Sequence, residues 1–218
     1  MQRLPLFPLG TVLVPGLVLP LHVFEPRYRE LVADLQGRPD DEQAFGVVAI
    51  KEGHEVGRDG ARALYDVGCT ASLQSATPYE DGRYDLVTTG TARFRLEGLD
   101  ADAGTPYLTG WVTPLPESDG DDVDVTGLAR EVGLAFAAYR ARTGSPQTGL
   151  PTSPRVLSYL VAAAMALDLS DRQALLEQPD TARRLVAERS LLHRERVLLD
   201  VLRALPAPHL LRAGATPN

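Results

Sequence analysis

The 218-residue sequence predicts an α+β protein: a small β-barrel with one inserted helix, followed by a C-terminal bundle of about four helices. Three observations lead to this class. Short apolar runs separated by turn residues fill residues 1–116, apolar residues recur with a period near 3.6 after residue 128, and an acidic stretch separates the two patterns. Hydrophobic residues make up 44% of the chain, which is enough for a sizeable core.

The N-terminal part consists mainly of short strand-like segments. Turn residues bound extended stretches at 4–9, 11–14, 17–23, 44–50, 65–72, 84–88, 94–96 and 107–112. One helix interrupts them: Pro26 suits a first helical position, and Gly37 ends the helix. Its apolar residues fall on one face; they are Tyr28, Leu31, Val32 and Leu35. Six or more strands with a single helix favour a closed or nearly closed barrel.

The acidic stretch 117–127 carries five acidic residues and no basic ones, whereas 1–116 has a net charge of −6 and 128–218 a net charge of +4. Runs of like charge rarely pack, so we predict a solvated linker there. Asp119 and Asp121 match the start of an EF-hand calcium loop, but Val123, Asp124 and Arg130 break that pattern. The predicted division is a barrel at 1–116, a linker at 117–127, a bundle at 128–206 and a tail at 207–218.

Four amphipathic segments follow the linker. The first has Leu128, Val132 and Phe136 on one face, and a second begins near Ser153. Ser170 and Gln173 match a capping box that would open a third, and Asp180 can cap a last helix that reaches about residue 205.

The sequence offers no catalytic machinery, so we predict a non-enzyme without cofactor or metal. The only lysine, Lys51, lies between Ile50 and Glu52, which excludes a phosphate-binding P-loop. The same residue would have to serve any Ser-Lys nucleophile pair or Schiff base. Four scattered histidines lack the spacing of metal ligands; they are His22, His54, His193 and His209.

Cysteine usage and the first segment bear on the compartment. The single cysteine, Cys69, cannot form an internal disulfide, and its place within a predicted strand suits a small buried hydrophobe. The uncharged run 4–24 imitates a signal peptide or membrane span, but four prolines interrupt it. We therefore expect a cytoplasmic protein with no membrane partner.

Several segments together resemble one known family. They read PLFPL at 5–9, VPG at 14–16, LPLHVFEPRY at 19–28, FGVV at 45–48, VGCTA at 67–71, GTARF at 90–94 and QALLE at 173–177. In this order they resemble the N-terminal substrate-binding domain of Lon proteases, in a free-standing version without ATPase or peptidase modules. The resemblance implies a PUA-like β-barrel followed by a helical bundle. It also implies binding of an unfolded or degron-bearing protein or peptide, alone or together with a separate protease.

The segment 24–28 is the candidate binding site, with two interpretations. In the functional one, Phe24 and Tyr28 flank a groove while Glu25 and Arg27 orient a bound peptide. In the structural one, the aromatic rings fill the core and the two charged residues pair locally. Farther along the chain, Arg93 and Arg95 flank Phe94, and we expect them on a solvated strand face.

The last helix offers a candidate partner surface. Leu185, Leu192 and Leu199 repeat every seven residues, and a second series contains Leu191, Leu198 and Leu205. Either series can face the bundle interior or dock a partner or a second copy, and the oligomeric state stays open.

Two other function classes compete with peptide binding. PUA-like barrels in other proteins bind RNA, but the acidic barrel half and the lack of aromatic residues between the arginines of the last helix disfavour nucleic acid. The second alternative is an adaptor or scaffold unrelated to proteolysis, which the Lon-like domain of cereblon exemplifies.

Overall fold

The computed structural model describes residues 1–53, 61–121, 123–146 and 149–204. Within the described residues, the N-terminal half contains seven strands: β1 (Gln2–Leu9), β2 (Val18–Val23), β3 (Ala44–Gly53), β4 (Ala61–Leu64), β5 (Val67–Pro78), β6 (Tyr84–Leu99) and β7 (Thr109–Pro114). Helix α1 (Pro26–Gln36) is inserted after β2. The helix and strand content confirms the predicted α+β class.

Five strands close into a barrel. Strands β1, β7, β6, β5 and β3 are neighbours in that order, and β1 also pairs with β3 in parallel, which completes the circle. Strand β4 extends β3, and β2 pairs with β6 in antiparallel register, with His22 opposite Asp85. Closure leaves these two added strands at the rim of the barrel.

Helix α1 packs against the barrel through the apolar face that its sequence pattern predicts. Pro26 occupies the first turn, and the buried residues are Tyr28, Leu31, Val32 and Leu35. They pack with Phe7, Phe45 and other strand residues in the largest core cluster of the N-terminal half. The spacing of apolar residues was therefore sufficient to predict both the helix and its buried face.

The strands are longer than the sequence segments indicate. The expected strands 84–88 and 94–96 form one 16-residue strand, β6, which pairs with β5 along most of its length. Gly90 lies at a register shift in this strand, and a Cβ atom there would overlap the carbonyl oxygen of Val14. Gly90 thus does not end the strand. Its lack of a side chain lets the β1–β2 connection approach β6 closely.

Four helices follow in the described residues, which confirms the predicted bundle. They are α2 (Val125–Thr143), α3 (Pro154–Ala164), α4 (Leu169–Leu176) and α5 (Thr181–Ala204). Asp180 caps α5 as predicted, because its Oδ1 accepts the N–H of Arg183 at 2.8 Å. The expected capping box at Ser170 is wrong: α4 starts one residue earlier and is capped by Asp168, which accepts the N–H of Asp171 at 2.8 Å.

The first residues of the expected acidic linker are bound to the helical half. The carbonyl of Ser118 accepts the N–H of Thr181 at 2.9 Å, and that of Asp119 accepts the N–H of Ala182 at 3.2 Å. Helix α2 begins at Val125, inside the stretch predicted as linker. Backbone pairing with the N-terminus of α5 therefore fixes the start of the stretch, while the side chains of Asp119, Asp121 and Asp124 are exposed. The boundaries of the predicted domains stay a prediction, and the tail 207–218 lies outside the described residues.

The two halves share a small apolar cluster. Val12 and Val14 from the β1–β2 connection and Val67 from β5 pack with Tyr159 of α3 and Leu176 of α4. The barrel and the helices are thus in direct contact.

Candidate functional site

The first groove lies between the end of β1 and β2 and has a volume of about 230 Å³. We call it the β1–β2 groove. Its lining is mostly apolar and consists of Phe7, Pro8, Leu9, Pro20, Leu21, His22, Val23, Phe24, Glu25 and Tyr28. The chain reverses from β2 into α1 at Phe24 and Glu25, so the start of α1 forms one end of the groove.

Phe24, Glu25 and Tyr28 of the predicted 24–28 site line this groove, whereas Arg27 does not line it and contacts Glu25 and Tyr28. Phe24 is 49% exposed at the rim, whereas Tyr28 is 4% exposed and its ring stacks on Phe7 with centroids 4.0 Å apart. Glu25 and Arg27 form an ion pair at 3.0 Å, and the Arg27 guanidinium lies 4.6 Å from the centre of the Tyr28 ring. Phe24 therefore fits the functional interpretation, and Tyr28 fits the structural one.

A polar cluster that sequence reasoning missed borders the groove on its solvent side. His22 Nδ1 lies 2.6 Å from Asp85 Oδ1, and the Tyr79 hydroxyl donates to the other oxygen of the same carboxylate. These two hydrogen bonds, that of Tyr79 first, hold the pKa of Asp85 below its usual value. The Arg83 guanidinium reaches His22 Nε2 at 3.3 Å. The sequence indicated only the hairpin turn at 78–82, which contains Tyr79 and precedes Arg83. It did not indicate that β2 pairs with β6, and this pairing brings His22 to Asp85.

A second groove, the α3 groove, lies where the barrel meets α3 and has a volume of about 320 Å³. The β1–β2 connection supplies one wall and α3 the other, and nearly all of the lining is aliphatic: Val14, Pro15, Gly16, Leu17, Val156, Tyr159, Leu160, Ala163 and Ala164. The predicted site residues do not include any of these positions.

The main leucine series of the last helix faces the bundle interior, which is the first of its two interpretations. Leu185 and Leu192 are almost completely buried in the bundle core, and Leu199 packs against the same core. The reason is that α5 contacts α2, α3 and α4, so the face with the seven-residue repeat is internal. In the second series, Leu198 is exposed and Leu205 lies outside the described residues.

Several arginines of α5 contact other side chains of the protein. Arg189 pairs with Glu131 at 2.6 Å, and Arg194 pairs with Asp171 and Glu195. Arg184 is buried. These contacts neutralise much of the basic character that the sequence places on this helix.

The expectation of a solvated face for Arg93 is wrong: its side chain is 1% exposed and joins the barrel to the helices. Its Nε donates to Glu117 Oε1 at 2.7 Å, and Nη1 donates to the carbonyls of Leu176 at 2.9 Å and Gln178 at 2.5 Å. Strand alternation puts Arg93 and Arg95 on the same face of β6, but the α4 region covers only Arg93, and Arg95 is exposed.

Further buried polar residues extend this contact. The Tyr159 hydroxyl donates to Glu117 Oε1 at 2.7 Å, and the Arg184 guanidinium stacks 3.8 Å from the centre of the Tyr159 ring. Arg184 Nε donates to Ser158 Oγ, which in turn donates to Glu188 Oε1, both at 2.8 Å. Burial raises the pKa of Glu188 well above its usual value. These contacts make the network a structural bridge between α3, α5 and the barrel.

Gln173 is a second contact between the halves that the sequence did not reveal. Its side-chain amide donates to the carbonyl of Val67 at 2.9 Å. The capping-box prediction had instead assigned this side chain to the start of α4. Cys69 is buried as predicted, and desolvation raises its pKa to about 12.

The described residues contain neither a candidate metal centre nor a candidate membrane-spanning helix. No group of three or more His, Cys, Asp or Glu side chains is arranged to hold a metal ion, and His54 and His209 lie outside the residues described. No helix in the described part of the chain is long and apolar enough to cross a membrane.

Comparison with known proteins identifies the family. The model for the ATP-dependent protease La (LON) substrate-binding domain matches residues 3–194. The chain belongs to this Lon substrate-binding domain family. It is 32% identical over 209 residues to Lon protease 2 of Myxococcus xanthus, covering 92% of this chain and 24% of that protein. Lon protease 2 of Syntrophobacter fumaroxidans is 28% identical over 83% of this chain and 23% of its own length.

Two solved structures are similar to this Lon-family domain. The crystal structure of a Lon N-terminal domain protein from Xanthomonas campestris has 27% identity and a TM-score of 0.61, covering 91% of this chain and 98% of that one. The N-terminal domain of the Lon protease from Mycobacterium avium complex superimposes with a TM-score of 0.67, covers 88% and 98% of the two chains, and is 18% identical, so it supports the fold.

The comparisons confirm the resemblance that the sequence motifs indicate. They also show its extent: the chain spans less than a quarter of the length of those two Lon proteases, and the matching family model describes their substrate-binding part.

Proposed function

We propose that this protein is a non-catalytic binding module that holds segments of other polypeptides in the β1–β2 groove. The observation that carries the proposal is Phe24, a large aromatic side chain left 49% exposed at the rim of an apolar groove. Aromatic residues in such positions are frequent anchors of binding energy in protein interfaces. The description of the family as a substrate-binding domain supports the same function.

The proposed partner is an unfolded or degron-bearing protein. Unfolded chains expose apolar side chains that a groove lined by proline, leucine and aromatic residues can cover. The relatives are named Lon proteases, which supports cooperation with a protease. The closed barrel keeps the groove wall on a rigid element, so binding does not require a large rearrangement of the site.

Nucleic acid is less well supported as a partner. The net charge of the protein is −7, and phosphate neutralisation is the main source of such affinity. The arginines of α5 could provide positive charge, but Arg189 and Arg194 are paired with carboxylates. An adaptor role unrelated to proteolysis would instead require a folded partner at the same groove.

Capture of an unfolded protein tests the proposal. Immobilised wild-type protein and a Phe24→Ser variant are compared for binding of reduced, carboxymethylated α-lactalbumin, with Leu134→Ser as a matched control because Leu134 is exposed on α2. We expect Phe24→Ser to bind at least about tenfold more weakly, as loss of an aromatic anchor does, and the control to bind normally. Equal binding by all three proteins would contradict a site at this groove. Retention of folded but not unfolded α-lactalbumin would favour an adaptor.

A further inference from the structure

Strand β2 has an open edge. It pairs with β6 along one side, and no strand of the described residues pairs with its other side. That other side borders the β1–β2 groove, whose opposite wall is the end of β1. An open strand edge presents backbone N–H and C=O groups that another extended chain can bind.

The register shows which residues of β2 direct their backbone groups to the open side. In antiparallel pairs, residues alternate between hydrogen-bonded and non-hydrogen-bonded positions. Gly90 donates its N–H to the carbonyl of Leu17 at 2.9 Å, directly before the β2 ladder, and the carbonyl of Leu19 also accepts a bond from β6, from the Thr88 hydroxyl. The backbone N–H and C=O groups of the odd-numbered residues of β2 therefore point toward β6. Those of Val18, Pro20 and His22 point toward the open side.

Pro20 supports this assignment independently. Proline has no N–H for a ladder, so within a sheet it occupies positions whose nitrogen points away from the paired strand. Its place at the centre of β2 agrees with the outward phase. Val18 and His22 then supply both a donor and an acceptor to the open edge, and Pro20 supplies an acceptor alone.

The inner face next to this edge is incompletely covered. Leu19 and Leu21 point toward the barrel core but remain half-buried, whereas Val23 is fully buried. A strand added beside β2 would place every second side chain on that same face. It would cover the two leucines and fill the apolar groove.

We propose that the β1–β2 groove binds its polypeptide partner as an added β-strand along the open edge of β2, with apolar side chains at alternate positions. This inference rests on the proposed function and specifies its binding mode. Main-chain hydrogen bonds to Val18, Pro20 and His22 supply affinity that is independent of the partner's sequence, and the groove selects for alternating apolar residues.

A second copy of this chain fits the same edge poorly. In a symmetric antiparallel pair, the register that aligns all outward-facing positions sets Val18 opposite His22 and Pro20 opposite Pro20. The central pair then has no N–H donor. An unrelated extended segment has a donor at that position and can bind the Pro20 carbonyl.

Backbone methylation of a peptide tests the mode directly. The probe is a fluorescein-labelled peptide of four leucine–threonine pairs with a lysine at each end, and binding is followed by fluorescence anisotropy. Two further versions carry N-methyl groups on all threonines or on all leucines, and each serves as the control for the other. We expect one version to bind at least about tenfold more weakly and the other to bind within about twofold of the unmodified peptide, because only one alternate set of N–H groups faces β2.

A protein variant tests the same edge from the other side. His22→Pro removes an outward N–H, while His22→Ala removes the same side-chain contacts but keeps that N–H. Pro20 already occupies an equivalent position in β2, so the strand accommodates proline there, and melting curves check the fold of both variants. We expect His22→Pro to bind the unmodified peptide about fivefold more weakly than His22→Ala, the value of one net hydrogen bond.

The outcomes separate this inference from the proposed function. If both methylated peptides bind equally weakly and the two His22 variants bind with equal affinity, the added strand is overturned. Peptide binding itself then stands. Failure of the peptide to bind, while capture of unfolded α-lactalbumin still depends on Phe24, would also overturn the added strand alone. Failure of the peptide to bind together with capture that is independent of Phe24 would overturn both.

Discussion

Arg93 should be among the residues on which the folded state depends most. The change Arg93→Ala removes a buried guanidinium that binds Glu117 and two carbonyls of the α4 region. Removing one partner of a buried ion pair typically costs about 3–5 kcal/mol, because the remaining charge and carbonyls lose their partners without regaining water. For a protein of this size the corresponding fall in melting temperature is roughly 6–20 °C.

Urea unfolding followed by circular dichroism measures this loss, and Arg95→Ala provides the matched control. Arg95 lies two residues farther along the same strand and is exposed, so its truncation should change the free energy of unfolding by less than about 0.5 kcal/mol. A double-mutant cycle with Glu117→Gln should give a coupling energy of about 0.5–3 kcal/mol. If Arg93→Ala destabilises the protein no more than Arg95→Ala, the bridge between barrel and helices has no energetic role.

Two further predictions concern other buried groups. Tyr28→Ala should lower the free energy of unfolding by about 3–5 kcal/mol, because its ring is buried against Phe7. Phe24→Ala should lower it by less than about 1 kcal/mol. Similar losses for the two variants in urea unfolding would mean that Tyr28 is not a core residue. Burial favours neutral Glu188 in the folded state, so the stability of the wild type relative to Glu188→Gln should fall by about 1.4 kcal/mol per pH unit as the pH rises from the usual value of 4.5 toward the raised pKa. Parallel pH profiles of the two proteins would contradict this.

Helices could be predicted from the sequence more completely than strands. The four apolar positions of α1 are the buried ones, and each predicted C-terminal helix exists in the described residues. A helix depends on contacts three and four residues apart, which a single sequence displays. The pairing of β2 with β6 joins residues more than sixty positions apart, and no local pattern encodes it.

The same limit explains the results at the candidate site. The motif at 24–28 indicated where a groove would form, but the orientation of each ring depends on partners elsewhere in the chain. Tyr28 is buried because Phe7 from β1 stacks on it, and Phe24 is exposed because it lies where the chain turns from β2 into α1. The sequence does not reveal the hydrogen bond of His22 with Asp85, because Asp85 lies 63 residues away on another strand.

The acidic stretch shows why charge along the sequence is a weak guide to solvation. Five acidic residues among the eleven at 117–127 favoured a linker. In the fold, however, Glu117 contacts Arg93, Tyr159 and Arg184. A carboxylate in such surroundings is compensated by cations that come from the barrel and from α5, on either side of it in the sequence. The net charges of the two flanking segments, −6 and +4, do not reveal that Arg93 and Arg184 lie next to this carboxylate. Glu117 therefore binds the two halves of the protein to each other, and the apolar contact of Val14 and Val67 with Tyr159 reinforces the same junction.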